Sequence, residues 1–324
     1  MESYCSPRPL FLLTLLLAAL LILSLNVGSS GYTLLDLLSG HAPPAILELR
    51  VARSMAAFST GLILGAAGFA LQYMLRNPLA DPYLLGVSPA AFLAVTLYAL
   101  AAPSLASYYL SITPVAIAGG LAGLGLVALL SRLAVDANTV ILAGVAVATS
   151  LSGASFALEY IAASRLGWNP AYAIFGGFAG VLPSAALLVT VTAIALAASL
   201  LAIAPRLETL LYGDSVALLA GYRPRASRLI ALALVGVGVA VQTGYTGVIG
   251  FVGLIAPNAA RGIVKCVEAR RSLTASMELG AVITLAADTV SRLAGAVSPY
   301  GEIPAGALIA LAGGAFLAAL VARG

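Results

Sequence analysis

Long apolar segments follow one another along almost the whole chain, each about twenty residues long and separated by short polar breaks. Of the 324 residues, 61% are hydrophobic and only 9% are charged, and the mean hydropathy is +1.07. Soluble domains carry about 25% charged residues, so one water-soluble core cannot account for this composition. The apolar runs lack strict alternation, which favours helices over a β-barrel. The sequence therefore predicts an all-α, polytopic membrane protein.

The apolar runs between polar breaks supply ten candidate spans, since a helix needs about 20 apolar residues to cross a bilayer. They cover residues 10–28, 52–74, 84–102, 112–132, 138–161, 183–204, 227–245, 249–264, 275–295 and 304–322. No linker of domain-boundary type separates them. We therefore expect a single transmembrane domain over residues 1–324.

Charge sets the expected orientation. Ten spans place both termini on one side of the membrane. With the N-terminus inside, 12 of the 16 Lys and Arg residues fall on the inner side and 4 on the outer side. This is the positive-inside bias, so we expect a multi-pass protein of the cytoplasmic membrane with both termini in the cytoplasm. The net charge of +4 has the same origin, and no basic tract or aromatic platform points to nucleic acid.

The longest inner connection, residues 205–226, contains a candidate for a short amphipathic helix from Asp214 to Leu219. Gly213 precedes this segment and Gly221 follows it, which is typical of helix ends. A helical turn lying on the lipid surface is one interpretation. The length of the connection favours a docking helix for a cytoplasmic partner.

No catalytic constellation is visible in the sequence. The chain has one histidine, His41, which excludes His-based metal sites and His-dependent triads. Its one lysine, Lys265, does not follow a Walker A loop, so the chain is not expected to be an enzyme and any ATPase must be another chain. Asp288 and Arg292 are spaced four apart and are predicted to pair rather than to relay protons.

Three arginines fall at outer ends of predicted spans: Arg50, Arg53 and Arg292. One interpretation is that they are snorkelling anchors, which bury their stems and hold their charge in the headgroup region. The other is a cationic rim that receives acidic residues of an extracytoplasmic partner.

Three ordered motifs resemble the permease subunits of type II ABC importers, which take up iron-siderophores, haem and cobalamin. They are the segment Gln72–Pro82 with Leu85–Ser88, the segment Gly247–Pro257, and the segment Ala287–Arg292 followed by Glu302–Gly306. The residues of this family signature are Arg76, Asn77, Pro78, Asp81, Pro82, Gly250, Phe251, Gly253, Pro257, Asp288, Glu302 and Pro304. The resemblance covers nearly the whole chain.

The resemblance implies ten helices in two related halves of opposite orientation. It also implies a homodimer with the pathway on its two-fold axis, two ATPase subunits on the cytoplasmic side and an extracytoplasmic substrate-binding protein. ATP and magnesium would be bound by the ATPase, and no cofactor by this chain. The expected cargo is a metal chelate, with an iron-siderophore first, cobalamin or haem next, and an oxyanion such as molybdate as a further alternative.

The resemblance also assigns roles by position. Asp214, Ala217 and Gly221 match the helices that couple the permease to its ATPase. Arg50, Arg53 and Arg292 match arginines that face glutamates of the binding protein, and residues 77–82 match a structural turn.

One departure from the family is Pro257-Asn258, where its members usually have Pro-His. Two other classes stay open: a secondary carrier driven by an ion gradient, and a membrane scaffold without transport activity.

Overall fold

The computed structural model describes residues 8–28, 31–41, 43–106, 109–131, 137–166, 174–265, 268–299 and 301–322. Its helices are α1 (Arg8–Asn26), α2 (Leu34–Leu38), α3 (Pro44–Leu75), α4 (Val87–Ala101), α5 (Pro103–Ala106), α6 (Tyr109–Ser131), α7 (Ala137–Leu166), α8 (Pro183–Tyr212), α9 (Asp214–Leu219), α10 (Pro224–Thr246), α11 (Val252–Val264), α12 (Ala269–Val297) and α13 (Ala305–Val321).

Among the described residues, seven helices are long and apolar enough to cross a membrane: α1, α3, α6, α7, α8, α10 and α12. The shorter apolar helices are α4, α11 and α13. The prediction of an all-α, polytopic membrane protein is confirmed. The relation of the chain's two halves by inverted repeat stays a prediction.

The long helix α3 lies at the centre of the bundle and packs against α12 and α8. Small residues let α3 and α12 approach closely, because a Cβ on Gly61 would collide with the Gly280 carbonyl oxygen and with Ala281 of α12. One turn further along α3, a Cβ on Gly65 would collide with the Ser276 carbonyl. The two helices therefore touch backbone to backbone, as close small-residue packing in membranes allows.

Helix α8 runs further than the sequence indicates. The predicted span ends at residue 204, before Pro205, but the helix continues through this proline to Tyr212. Leu207 and Leu210 are fully buried in the core, so tertiary packing compensates for the backbone hydrogen bond that Pro205 cannot donate. The inner connection is correspondingly shorter than the predicted 205–226 loop.

Residues 247–251 connect α10 to α11 in an extended, irregular path. Gly247 ends α10 at φ +72. Phe251 precedes α11 with φ +67, a left-handed conformation that is uncommon for a residue with a side chain. The break between the predicted spans 227–245 and 249–264 therefore separates two helices, which end and begin close to the predicted limits.

Candidate functional site

The segment between α8 and α10, which the charge distribution predicts to lie on the inner side, carries the residues predicted to contact an ATPase. The predicted helix Asp214–Leu219 is confirmed as α9. Ala217 is fully buried against the bundle, whereas Leu218 and Leu219 are 61% and 88% exposed. Helix α9 is therefore anchored through one face and presents an apolar surface with the other.

Asp214 and Arg228 join α9 to the start of α10. The Arg228 guanidinium donates from Nη1 to Asp214 Oδ2 at 2.9 Å and from Nη2 to Oδ1 at 2.5 Å. These hydrogen bonds hold the pKa of Asp214 below its ordinary value. The Arg228 Nε atom also donates to the Met74 carbonyl at 3.4 Å, and Arg76 lies 3.9 Å from the same carboxylate. The N-terminus of α9 is thus tied to the inner end of α3.

The signature residues after α3 form a turn built by their own side chains. Arg76 ends α3 in the left-handed conformation, with φ +52. The Asn77 Oδ1 atom accepts a hydrogen bond from the Leu79 amide at 2.8 Å, and Asp81 Oδ1 accepts one from the Tyr83 amide at 2.8 Å. Such side-chain to backbone bonds replace those that a helix would supply.

This turn packs against α11, far away in sequence. The Asn258 Nδ2 atom donates to the Pro78 carbonyl at 2.8 Å and to the Leu254 carbonyl at 2.8 Å. Arg261 donates to Asn258 Oδ1 at 2.5 Å and to Gln72 Oε1 at 2.8 Å. The asparagine that departs from the family pattern therefore bridges the first and second signature motifs.

The second motif supplies the close approach that this packing needs. A Cβ on Gly253 would lie 2.8 Å from Asp81 Oδ2 and 2.8 Å from Pro82 Cδ. The nearest atoms to a Cβ on Gly250 are those of the Tyr83 ring, at 3.8 Å. Pro257 lies inside α11 and is buried. The close approach at Gly253 therefore holds the turn against α11.

The third motif forms a charged cluster at the opposite end of α3. Arg53 donates to Asp288 Oδ1 at 2.8 Å and to Glu302 Oε2 at 2.6 Å. Arg292 lies 2.8 Å from Asp288 Oδ2, which confirms the predicted pairing of these two residues. Asp288 is fully buried, whereas the Arg53 and Glu302 side chains are 15% and 14% exposed. Pro304 directly precedes α13 beside this cluster.

Arg50 and Arg292 lie inside the protein rather than on a rim. Arg50 is 6% exposed and donates to the carbonyls of Leu25, Asn26 and Tyr32 at 3.1–3.2 Å. Arg292 is 2% exposed and donates to the Ser24 carbonyl at 2.6 Å. Both guanidinium groups satisfy carbonyls at the end of α1, where a helix leaves its last acceptors unpaired. The snorkelling interpretation is wrong for these two residues.

The three arginines nevertheless line one cavity of about 310 Å³. Arg53 is the member of this set that keeps contact with the surface. The structure therefore brings Arg50, Arg53 and Arg292 together, but with their charges largely engaged within the chain. Sequence reasoning did not find that Arg228 pairs with Asp214 or that Arg261 joins two motifs, because these residues bear no local pattern that distinguishes them from other inner-side cations.

Comparison with known proteins places this architecture among importer permeases. A model of the FecCD transport family matches residues 15–323. The Fe(3+) dicitrate transport system permease protein FecC of Escherichia coli is 33% identical over 89% of this chain and 87% of its own length. The vitamin B12 import system permease protein BtuC of Vibrio cholerae is 33% identical over 92% of this chain and 89% of its own length.

A solved structure supports the same class. It is described as an inward-facing conformation of a metal-chelate type ABC transporter and superposes with a TM-score of 0.81 at 28% identity, covering 98% of this chain and 99% of that chain. Fold and motifs together define a permease of the type II ABC importer class. The chain belongs to the FecCD transport family.

Proposed function

We propose that this chain is the membrane-spanning subunit of an ATP-driven importer that moves a metal chelate inward. The observation that carries the proposal is α9, an anchored inner helix with an exposed apolar face that is bonded to α3 and α10. Family members of known name act on iron dicitrate and vitamin B12, which supports a chelate as the cargo. An oxyanion stays the alternative cargo.

The partner at α9 is proposed to be an ATPase subunit that binds ATP and magnesium. Leu218 and Leu219 project from α9, and an exposed apolar patch of this kind on a polar inner face marks an interaction site. Asp214 fixes the start of α9, Ala217 anchors it and Gly221, at φ +81, lets the chain turn back toward α10. A displacement of α9 would be transmitted to α3 through Arg228, which donates to both Asp214 and the Met74 carbonyl.

The partner at the outer end is proposed to be a binding protein that delivers the cargo. Arg53 is the accessible member of the arginine set, and its partner Glu302 is also partly exposed. A carboxylate of the binding protein would exchange with Glu302 for the Arg53 guanidinium. Arg50 and Arg292 would supply positive potential from the interior of the cavity that all three line.

We further propose a homodimer with both termini in the cytoplasm, as the charge distribution predicts. The pathway would run between the two copies, with affinity for the cargo held mainly by the binding protein. The dimer is supported by the family to which the chain belongs.

The test is uptake of a radioactive chelate by proteoliposomes that contain the permease, its ATPase and its binding protein. Leu219→Glu should abolish co-purification with the ATPase and ATP-dependent uptake, because it places a charge in the centre of the α9 patch. Leu35→Glu is the matched control, since Leu35 is 77% exposed but lies on α2, away from α9. Uptake driven by an ion gradient without ATP would contradict the proposal in favour of a secondary carrier. Absence of flux both for every chelate and for an oxyanion such as molybdate would favour a scaffold.

A further inference from the structure

A second and larger cavity, of about 530 Å³, lies between α4, α7 and α10, next to residues 177–180. This volume is in the range of small-molecule sites. The residues that line it are Phe92, Val95, Thr96, Ala99, Ala106, Ile112, Glu159, Gly177, Ala179, Gly180, Thr243, Gly244, Tyr245, Thr246 and Gly247. Gly180 also lines the cavity of the three arginines, so the two cavities are neighbours.

Glu159 is the one ionisable carboxylate or cation among the described residues that line this larger cavity. It is 1% exposed, and its Oε2 atom accepts a hydrogen bond from Thr96 Oγ1 at 3.1 Å. Its Oε1 atom is buried and has no hydrogen-bond partner among the residues that the structure describes. A carboxylate has about four acceptor sites, and burying it unpaired is costly. Among the described residues, this acceptor therefore has no donor.

We propose that Glu159 and Thr96 form a cargo site that takes a protonated amine, or another strong hydrogen-bond donor, at the edge of the chelate. This inference rests on the proposed function, because it takes the ligand to be the imported chelate. The phenyl ring of Phe92 and the side chains of Val95 and Ile112 would contact the apolar body of the ligand. A rotation of the Glu159 side chain would bring its buried Oε1 atom to the cationic group of the ligand.

The sign of the charge distinguishes this site from its neighbour. The smaller cavity carries three arginines and suits carboxylates, whereas the larger one carries a carboxylate and is otherwise lined by neutral groups. An anionic chelate would be repelled by Glu159, and a cationic one would be attracted in a medium that screens weakly. The site therefore selects among chelates of similar size by the charge at their edge.

The test uses two ferric chelates of one linear trishydroxamate, the first with a free primary amine and the second with that amine acetylated. Equilibrium binding of the ⁵⁵Fe-labelled chelates is measured on the permease–ATPase complex in nanodiscs, without binding protein or nucleotide. Wild-type complex should bind the amine-bearing chelate about tenfold or more tightly than its acetylated form, the range of a hydrogen bond to a charged group. Glu159→Gln should bring this ratio close to one.

Glu278→Gln is the matched control. Glu278 also accepts one hydrogen bond from a threonine, Thr14 at 3.0 Å, and also has a buried oxygen without a partner among the described residues. It lies on α12 and is not among the residues that line either cavity, so its substitution should leave the ratio unchanged. Glu159→Asp keeps the carboxylate and should retain part of the preference for the amine-bearing chelate. Comparing it with Glu159→Gln distinguishes loss of the acceptor from loss of folding.

Three results would overturn the site: equal binding of the two chelates by wild type, a preference that survives Glu159→Gln, or no binding of either chelate at about 1 mM. The proposed function is judged separately, by ATP-dependent uptake of the native cargo delivered by the binding protein. Uptake without any amine preference would remove the site and leave the importer standing. An amine preference without ATP-dependent uptake would leave the site standing and contradict the proposed importer.

Discussion

The charged cluster at the Arg53 end of α3 is built around one buried carboxylate. Asp288 is fully buried and accepts from Arg53 at 2.8 Å, with Arg292 at 2.8 Å on its other oxygen. Asp288→Asn keeps the shape of the side chain but removes its charge. Glu302 is then the carboxylate left to balance the guanidinium groups of this cluster.

The expected loss is large because an unpaired buried charge is left behind. Breaking a buried ion pair by removing one partner costs about 3–5 kcal/mol. For 324 residues, an unfolding entropy of about 2.1 cal/mol/K per residue converts about 4 kcal/mol into a fall in Tm of about 6 °C. Unfolding in detergent is less complete than in water, which makes the fall larger. Glu302→Gln should cost less, since this side chain is partly exposed.

The assay is thermal unfolding of the detergent-purified protein, combined with a double-mutant cycle. Asp288→Asn and Arg292→Met together should cost less than the sum of the two single losses, because each change removes the same ion pair; Arg292→Met also removes the hydrogen bond to the Ser24 carbonyl. Glu268→Gln is the control: its pair with Arg271 is half exposed, so the expected loss is below about 0.5 kcal/mol. An unchanged Tm for Asp288→Asn, or strictly additive losses in the double variant, would refute this account of the cluster.

Three further outcomes are expected. Asn258→Ala should lower the free energy of unfolding by about 1–3 kcal/mol, measured by thermal melts, because it removes hydrogen bonds to the turn and leaves acceptors without a donor. Gly61→Ala should reduce the yield of folded protein, because the new Cβ would collide with the backbone of α12. The control is Gly125→Ala, also within a helix, where a Cβ has no atom within 4 Å; this change should leave the yield unchanged. Arg228 lowers the pKa of Asp214, so the ion pair is fully formed at pH values above the ordinary pKa of a carboxyl group and is lost only as the pH falls below that pKa. Titration of this pair should therefore not change the stimulation of the ATPase by cargo between about pH 8 and 5.

Local patterns in the sequence predicted the ends of short elements well. The glycines on either side of residues 214–219 predicted α9, because glycine is favoured where a helix must stop and turn. The same local reasoning failed at Pro205, which lies inside α8. Proline normally ends a helix, but here Leu207 and Leu210 gain full burial by continuing it, and that gain depends on neighbours distant in sequence.

Contacts between distant segments could not be predicted from the residues alone. The sequence indicated a turn at residues 77–82, yet it contained no sign that Asn258 would bond to this turn from 180 residues away. Arg50 and Arg292 looked like surface cations for a similar reason. Their acceptors are carbonyls at the end of α1, and a main-chain carbonyl leaves no signature in a sequence.

The backbone contact between α3 and α12 has a mechanical consequence. At Gly61 and Gly280 the backbones of the two helices are in direct contact, and the Thr284 hydroxyl of α12 donates to the Ala57 carbonyl of α3 at 2.8 Å. We therefore expect the two helices to move together. Arg53, in the outer charged cluster, and Met74, which accepts from Arg228, are 21 residues apart on α3, about 30 Å along its axis. If the chain works as the proposed importer, we expect a tilt imposed at the Met74 end of α3 to reach the Arg53 end, with the hinges in other helices.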